Sequence, residues 1–191
     1  MEIRRDYYLN KLIKRKHNGQ VKVITGIRRC GKSYLLNNLF YHHLLESGVA
    51  GDHIIRFAFD SADDLILIGE SLIQLEKEKR GVDPEKFMAY IRSNITDDGM
   101  YYLLLDEIQM MDCFEAVLNG YLRKDNVDVF VTGSNARLLS KDIATEFAGR
   151  GDEVHMYPLS FSEFMSVYKG DKYMGLSEYM LYGGIPVVVL K

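Results

Sequence analysis

The chain has 191 residues, 47% of them hydrophobic, with 24 Lys and Arg against 27 Asp and Glu. That length fits one domain with enough apolar side chain to bury a core, and it excludes a largely disordered chain. Two cysteines, Cys30 and Cys113, cannot build a disulfide framework or a four-cysteine zinc site and fit a reducing compartment.

The longest apolar runs, such as Val187 to Leu190, fall far short of the ~20 residues of a membrane helix. The N-terminal MEIRRDYYLNKLIKRK is charged throughout and lacks the apolar stretch of a signal peptide. A cytoplasmic protein with no membrane partner is therefore expected. The net charge of −3 conceals an asymmetry. Residues 1–32 hold ten Lys and Arg against Glu2 and Asp6, a net +8, which leaves −11 for the remainder. Such a basic block either meets an anionic partner, nucleic acid or a phosphate ligand, or is a solvated helix face.

In chain order, Arg5 to Lys16 reads as a helix with Leu9, Leu12 and Ile13 on one side. Val21 to Thr25 is a short β-branched strand ending at glycine, and Ser33 to Leu45 is a helix with a stripe of Leu35, Leu36, Leu39 and Phe40. Ile54 to Phe59 is a second strand. Ala62 to Lys79 and Glu85 to Ser93 read as helices separated by Gly81 and Pro84. Met100 to Asp106 is a third, nearly all-apolar strand, Cys113 to Arg123 a helix, and Val127 to Thr132 a fourth strand. Ser140 to Ala148 is a short helix, Glu153 to Tyr157 a fifth strand, and Phe161 to Tyr168 and Leu176 to Tyr182 short helices. This alternation predicts an α/β fold built of βαβ units around a parallel sheet of about five strands, with helices on both faces. Residues 1–170 read as the core and 171–191 as the start of a helical lid or C-terminal region of a longer protein.

The strongest local signal is Gly26-Ile27-Arg28-Arg29-Cys30-Gly31-Lys32-Ser33, a match to the phosphate-binding loop G-x-x-x-x-G-K-[ST]. Backbone N–H groups converge on a triphosphate only where bulky side chains are absent from the bends, which explains Gly26 and Gly31. The helix that starts near Ser33 and runs on through Tyr34 aims its unpaired N–H groups at the same oxygens. Lys32 then reaches the β and γ oxygens, and the Ser33 hydroxyl is a Mg2+ ligand. The bland alternative is a glycine turn with a solvated lysine. Of Arg28 and Arg29, one can approach phosphate while the other anchors the loop. Cys30 sits at a variable loop position.

The third strand ends in Leu105-Asp106-Glu107, which places an acid at the C-terminal edge of a buried strand, where ligands of open α/β sheets sit. Asp106 is the expected Mg2+ ligand, and Glu107 can orient and deprotonate a water for in-line attack. After the fourth strand, Ser134 and Asn135 can contact the γ-phosphate or serve as ordinary turn and cap residues. Arg150, between Gly149 and Gly151, is a candidate arginine finger or a surface residue paired with Asp152.

GIRRCGKS, YYLLLDEIQ, VTGSNARLL, AGRG, YPLSFSEF and YGGIP, in this order, resemble the bacterial and archaeal AAA-type ATPases that carry a C-terminal domain of unknown function. The resemblance implies a three-layer, AAA+-like P-loop fold, with the loop strand between the fourth and fifth strands, and ATP with Mg2+ as the ligand. It implies Asn135 as a γ-phosphate sensor, Arg150 as a finger offered in trans within a homo-oligomer, and Pro186 as a residue packed against the base. The C-terminal region would meet a nucleic-acid or protein partner. Two other functions use the same loop: a small-molecule phosphotransferase, with its acceptor pocket in Asp60 to Lys86, and an ATP-regulated nucleic-acid-binding module.

Overall fold

The computed structural model describes residues 3–133 and 151–186. The helix expected over Ser140 to Ala148, together with Ser134, Asn135, Arg150 and the Val187 to Leu190 run, lies outside the described residues.

The first helix, α1 (Asp6–Lys14), leads into β1 (Val21–Gly26). A continuous helical run, α2 (32–46), follows, and its middle, Leu35–Phe40, winds as a wider π-helical turn. Next come β2 (Ile54–Ala58), α3 (Ala62–Leu67), α4 (Leu72–Glu78) and α5 (Pro84–Asn94). The chain continues through β3 (Tyr101–Asp106), α6 (Phe114–Tyr121), β4 (Val127–Thr132) and β5 (Gly151–Met156). It ends in α7 (Phe161–Met165) and α8 (Lys172–Tyr182).

The five strands form one sheet in the order β2-β3-β4-β1-β5, and every neighbouring pair is parallel. β1 therefore lies between β4 and β5, as expected. Alternating side chains feed two cores. Leu104, Phe130, Ile24 and Val154 face α1 and α2, and meet Leu12, Leu36 and Phe40. Leu103, Leu105, Val129, Val131 and Val23 face the other helices, meeting Leu65, Phe87, Ile91 and Leu118. Helices on both faces of a parallel sheet make a three-layer α/β sandwich. Among the described residues, no helix is long and apolar enough to cross a membrane.

The helix expected over Ala62 to Lys79 is two helices. Gly69 takes φ +67, Glu70 turns inward, and Ser71 opens α4. Glu70, only 4% exposed, holds the break closed through ion pairs of 2.9 Å with both Arg80 and Lys86.

Candidate functional site

The loop between β1 and α2 requires glycine at its first position. Gly26 has φ +141, and a Cβ there would lie 2.3 Å from the Met156 carbonyl oxygen of β5. Gly31 turns the chain into α2 at φ +102. The ammonium of Lys32, a residue only 4% exposed, donates to the carbonyls of Gly26 and Ile27 at 3.0 Å each and so spans the mouth of the loop. Carbonyl dipoles of this kind offset the cost of removing a cation from water. Ser33 and Tyr34 are exposed at the start of the helix.

Asp106 ends β3, and β4 separates it from β1. The last residue of β4, Thr132, fills that gap. Its hydroxyl donates to Asp106, and its oxygen accepts the Glu107 N–H at 3.1 Å. Ser33 Oγ donates to Asp106 Oδ1 at 3.1 Å, joining loop and strand tip across 73 positions of sequence. Asn37, carried by the π-helical turn, donates its amide to Asp106 Oδ2 at 3.3 Å. Burial pushes the Asp106 carboxyl above the usual carboxylate range, against the hydrogen bonds from Thr132 and Ser33 and with the negative Glu107 and Asp60 adding to the rise. Among the described residues, no Lys or Arg forms an ion pair with it. A buried carboxylate without a basic partner, beside a serine hydroxyl, is a hard-oxygen donor set that fits Mg2+. Among the described residues, no cluster of three or more His, Cys, Asp and Glu could hold a metal by itself.

Glu107 follows in a left-handed conformation, φ +54, which turns the backbone out of the strand. The amide of Gln109 donates to that carboxylate. A non-glycine residue in this region stores roughly 1–3 kcal/mol of strain, and such strain is kept where the surroundings hold it. Thr132, at its backbone, and Gln109, at its side chain, help hold it here.

The family model described as AAA domain matches residues 18–165, from just before β1 to the end of α7. The chain belongs to the AAA domain family. An uncharacterized protein of Haemophilus influenzae is 36% identical over 98% of this chain, and the chain spans only 45% of that relative. Solved structures share the AAA domain's fold, and two illustrate it. One is AMPPCP-bound DnaA from Aquifex aeolicus, with TM-score 0.58 and 14% identity over 95% of this chain and 56% of that one. The other is the Aeropyrum pernix ORC1 protein in complex with DNA, with TM-score 0.52 and 12% identity over 93% of this chain and 50% of that one.

The AAA domain thus brings together Gly26, Gly31, Lys32, Ser33, Asp106 and Glu107 at the C-terminal edge of β1, β3 and β4. Arg28 and Arg29 are exposed on the loop's outer turn, while Cys30 is fully buried, and burial raises its thiol. Pro186 is half-buried just past Gly184, and the Gly184 carbonyl accepts the Leu159 N–H at 2.6 Å. The N-terminal basic block is partly spent inside the fold. Lys22 is fully buried against Asp128, Arg5 is buried, and Arg15 pairs with Asp152 at 2.7 Å. Sequence reasoning missed Thr132, Asn37 and Gln109 as members of the site. Gln109 lay in the quoted DEIQ run, but nothing in the sequence shows which amide or hydroxyl the fold turns toward a carboxylate.

Proposed function

We propose that this AAA domain binds ATP with Mg2+ and hydrolyses it, acting as an ATPase or an ATP-driven switch. The observation that carries this reading is the 3.1 Å contact between Ser33 and Asp106, which brings the loop to the acid at the tip of β3. That DnaA in its solved form is AMPPCP-bound supports a nucleotide in this kind of fold.

Gly26, Ile27, Arg28, Arg29, Cys30, Gly31, Lys32, Ser33 and Tyr34 line the phosphates, and Pro186 packs against the base. Ser33 and Asp106 would hold Mg2+, which keeps most of its positions for phosphate and water. When bound, the cation neutralises charge that develops on the phosphoryl oxygens. Lys32 turns from the loop carbonyls to the β and γ oxygens, and its ammonium has donors enough for both. Glu107 accepts a proton from the attacking water, with Gln109 fixing the carboxylate. Asn135 serves as the γ-phosphate contact. Arg150, offered from a neighbouring copy, adds roughly 10³–10⁵-fold to turnover.

Calorimetry with a non-hydrolysable ATP analogue and Mg2+ tests binding, and phosphate release tests chemistry. Lys32→Ala is expected to lose binding. Phosphate release without any acceptor argues against the phosphotransferase alternative. A nucleic-acid role draws on Arg4, Lys14, Arg28 and Arg29, which stay exposed, and on ORC1 having been solved in complex with DNA. Its mark is DNA binding that falls steeply with added salt.

A further inference from the structure

Arg5 is 3% exposed, yet it belongs to none of the loop or strand-tip motifs. A guanidinium buried this deeply is kept where acceptors and an opposite charge surround it. One terminal nitrogen donates to the Cys30 carbonyl at 3.1 Å and the other to the Tyr157 carbonyl at 2.7 Å. Nε forms an ion pair with Glu163 Oε1 at 2.9 Å without the alignment of a hydrogen bond, and the group stacks 4.6 Å from the centre of the Tyr8 ring. The first of these contacts sets the shape of the loop. The Cys30 carbonyl and the Gly31 N–H belong to one planar trans peptide and point in opposite directions. Holding the carbonyl on the Arg5 side therefore turns the Gly31 N–H away from Arg5.

Glu163 is engaged in turn. Its other oxygen accepts the Ser160 N–H at 2.7 Å and the Ser160 hydroxyl at 3.0 Å, closing the capping box that starts α7. The preceding residue, Leu159, is tied to α8: its carbonyl accepts the Tyr179 hydroxyl at 2.7 Å, and its N–H donates to Gly184 at 2.6 Å. Gly184 packs so closely that a Cβ would lie 2.1 Å from the Leu159 oxygen. The loop peptide and the C-terminal helices are thus joined through one buried arginine.

We infer that Arg5 and Glu163 form a relay coupling nucleotide occupancy of the Gly26–Ser33 loop to the α7–α8 segment. The inference rests on the ATP reading above. Both are positioning residues: Arg5 fixes the Cys30–Gly31 peptide, and Glu163 passes that restraint to Ser160, Leu159 and α8. Coupling of this kind is reciprocal, so what α7 and α8 add to nucleotide affinity, nucleotide returns as order in α7 and α8.

The test uses the full chain with Mg2+ and a non-hydrolysable ATP analogue, measuring affinity by calorimetry and amide hydrogen exchange over 159–182. Glu163→Gln keeps an oxygen that can serve the capping box while removing the charge. Arg5→Lys keeps the charge while removing the fork. In the parent, nucleotide is expected to slow exchange in α7 and α8. In both variants affinity should fall roughly 5–150-fold, and at saturating nucleotide the slowing should vanish. If either variant retains full nucleotide-dependent protection at saturation, whatever its affinity, the relay is overturned while the ATP reading stands. If the parent binds no nucleotide, both are overturned.

Discussion

Gly26 cannot carry a side chain. Its φ of +141 and the Met156 carbonyl, 2.3 Å from where a Cβ would sit, forbid alanine on two independent grounds. Gly26→Ala is expected to lose at least the roughly 1–3 kcal/mol of a strained backbone position in urea unfolding, and to lose nucleotide binding with it. Asp106 titrates the other way from a paired surface acid. Burial raises its carboxyl in the folded chain, so stability is fully present below the unfolded carboxylate range and is lost as pH rises through the folded value. Asp106→Asn should therefore melt above the parent at pH near neutral, with the gain shrinking as pH falls toward ~4. Thermal melts across pH read this directly, and Mg2+-dependent binding should weaken in the same variant. Thr132 is fully buried and serves Asp106 and the Glu107 N–H at once. Thr132→Val removes the acceptor of that N–H and a donor to Asp106, at a cost of about 1–3 kcal/mol in chemical denaturation, and lowers turnover by loosening Glu107.

At the scale of elements, what the sequence makes legible is what local chemistry determines. The loop, the apolar β3 run and the acidic pair at its tip follow from spacing, because their physical demands are local. The break in the expected Ala62 to Lys79 helix does not. Its apolar side chains keep a helical rhythm, and the turn at Gly69 is fixed by Glu70 reaching Arg80 and Lys86. The role of PLSFSEF was equally hidden. Ser160 and Glu163 form a capping box that α7 needs, but the carboxylate's second partner, Arg5, lies more than 150 residues earlier. Lys22 read as part of a basic block, yet β1 carries it into the sheet against Asp128 of β4, a partner that pattern cannot reveal. Lys22→Met leaves Asp128 buried, with the His17 N–H at 3.0 Å as its main remaining donor. Loss of one partner of such a pair costs about 3–5 kcal/mol, measured by unfolding, and Lys22→Met with Asp128→Leu should recover part of it.

At the scale of the whole molecule, the strand order does the assembling. Placing β4 between β1 and β3 brings Thr132 into the gap between loop and acid, and it gathers the three strand tips at one edge of the sheet. Ligands of open parallel sheets bind at that edge. The same arrangement puts β5 against β1, so that the Met156 carbonyl polices Gly26 and the chain after β5 returns to meet Arg5. The N-terminal helix, the loop and the C-terminal helices thus share one hub beside the site. The most direct test is calorimetry with Mg2+ and a non-hydrolysable analogue, alongside phosphate release, on the parent, Lys32→Ala and Glu107→Gln. The parent is expected to bind and release phosphate, Lys32→Ala to lose binding, and Glu107→Gln to bind while phosphate release collapses. A parent that binds no Mg2+–nucleotide, or a Glu107→Gln variant that hydrolyses like the parent, would contradict the ATPase assignment.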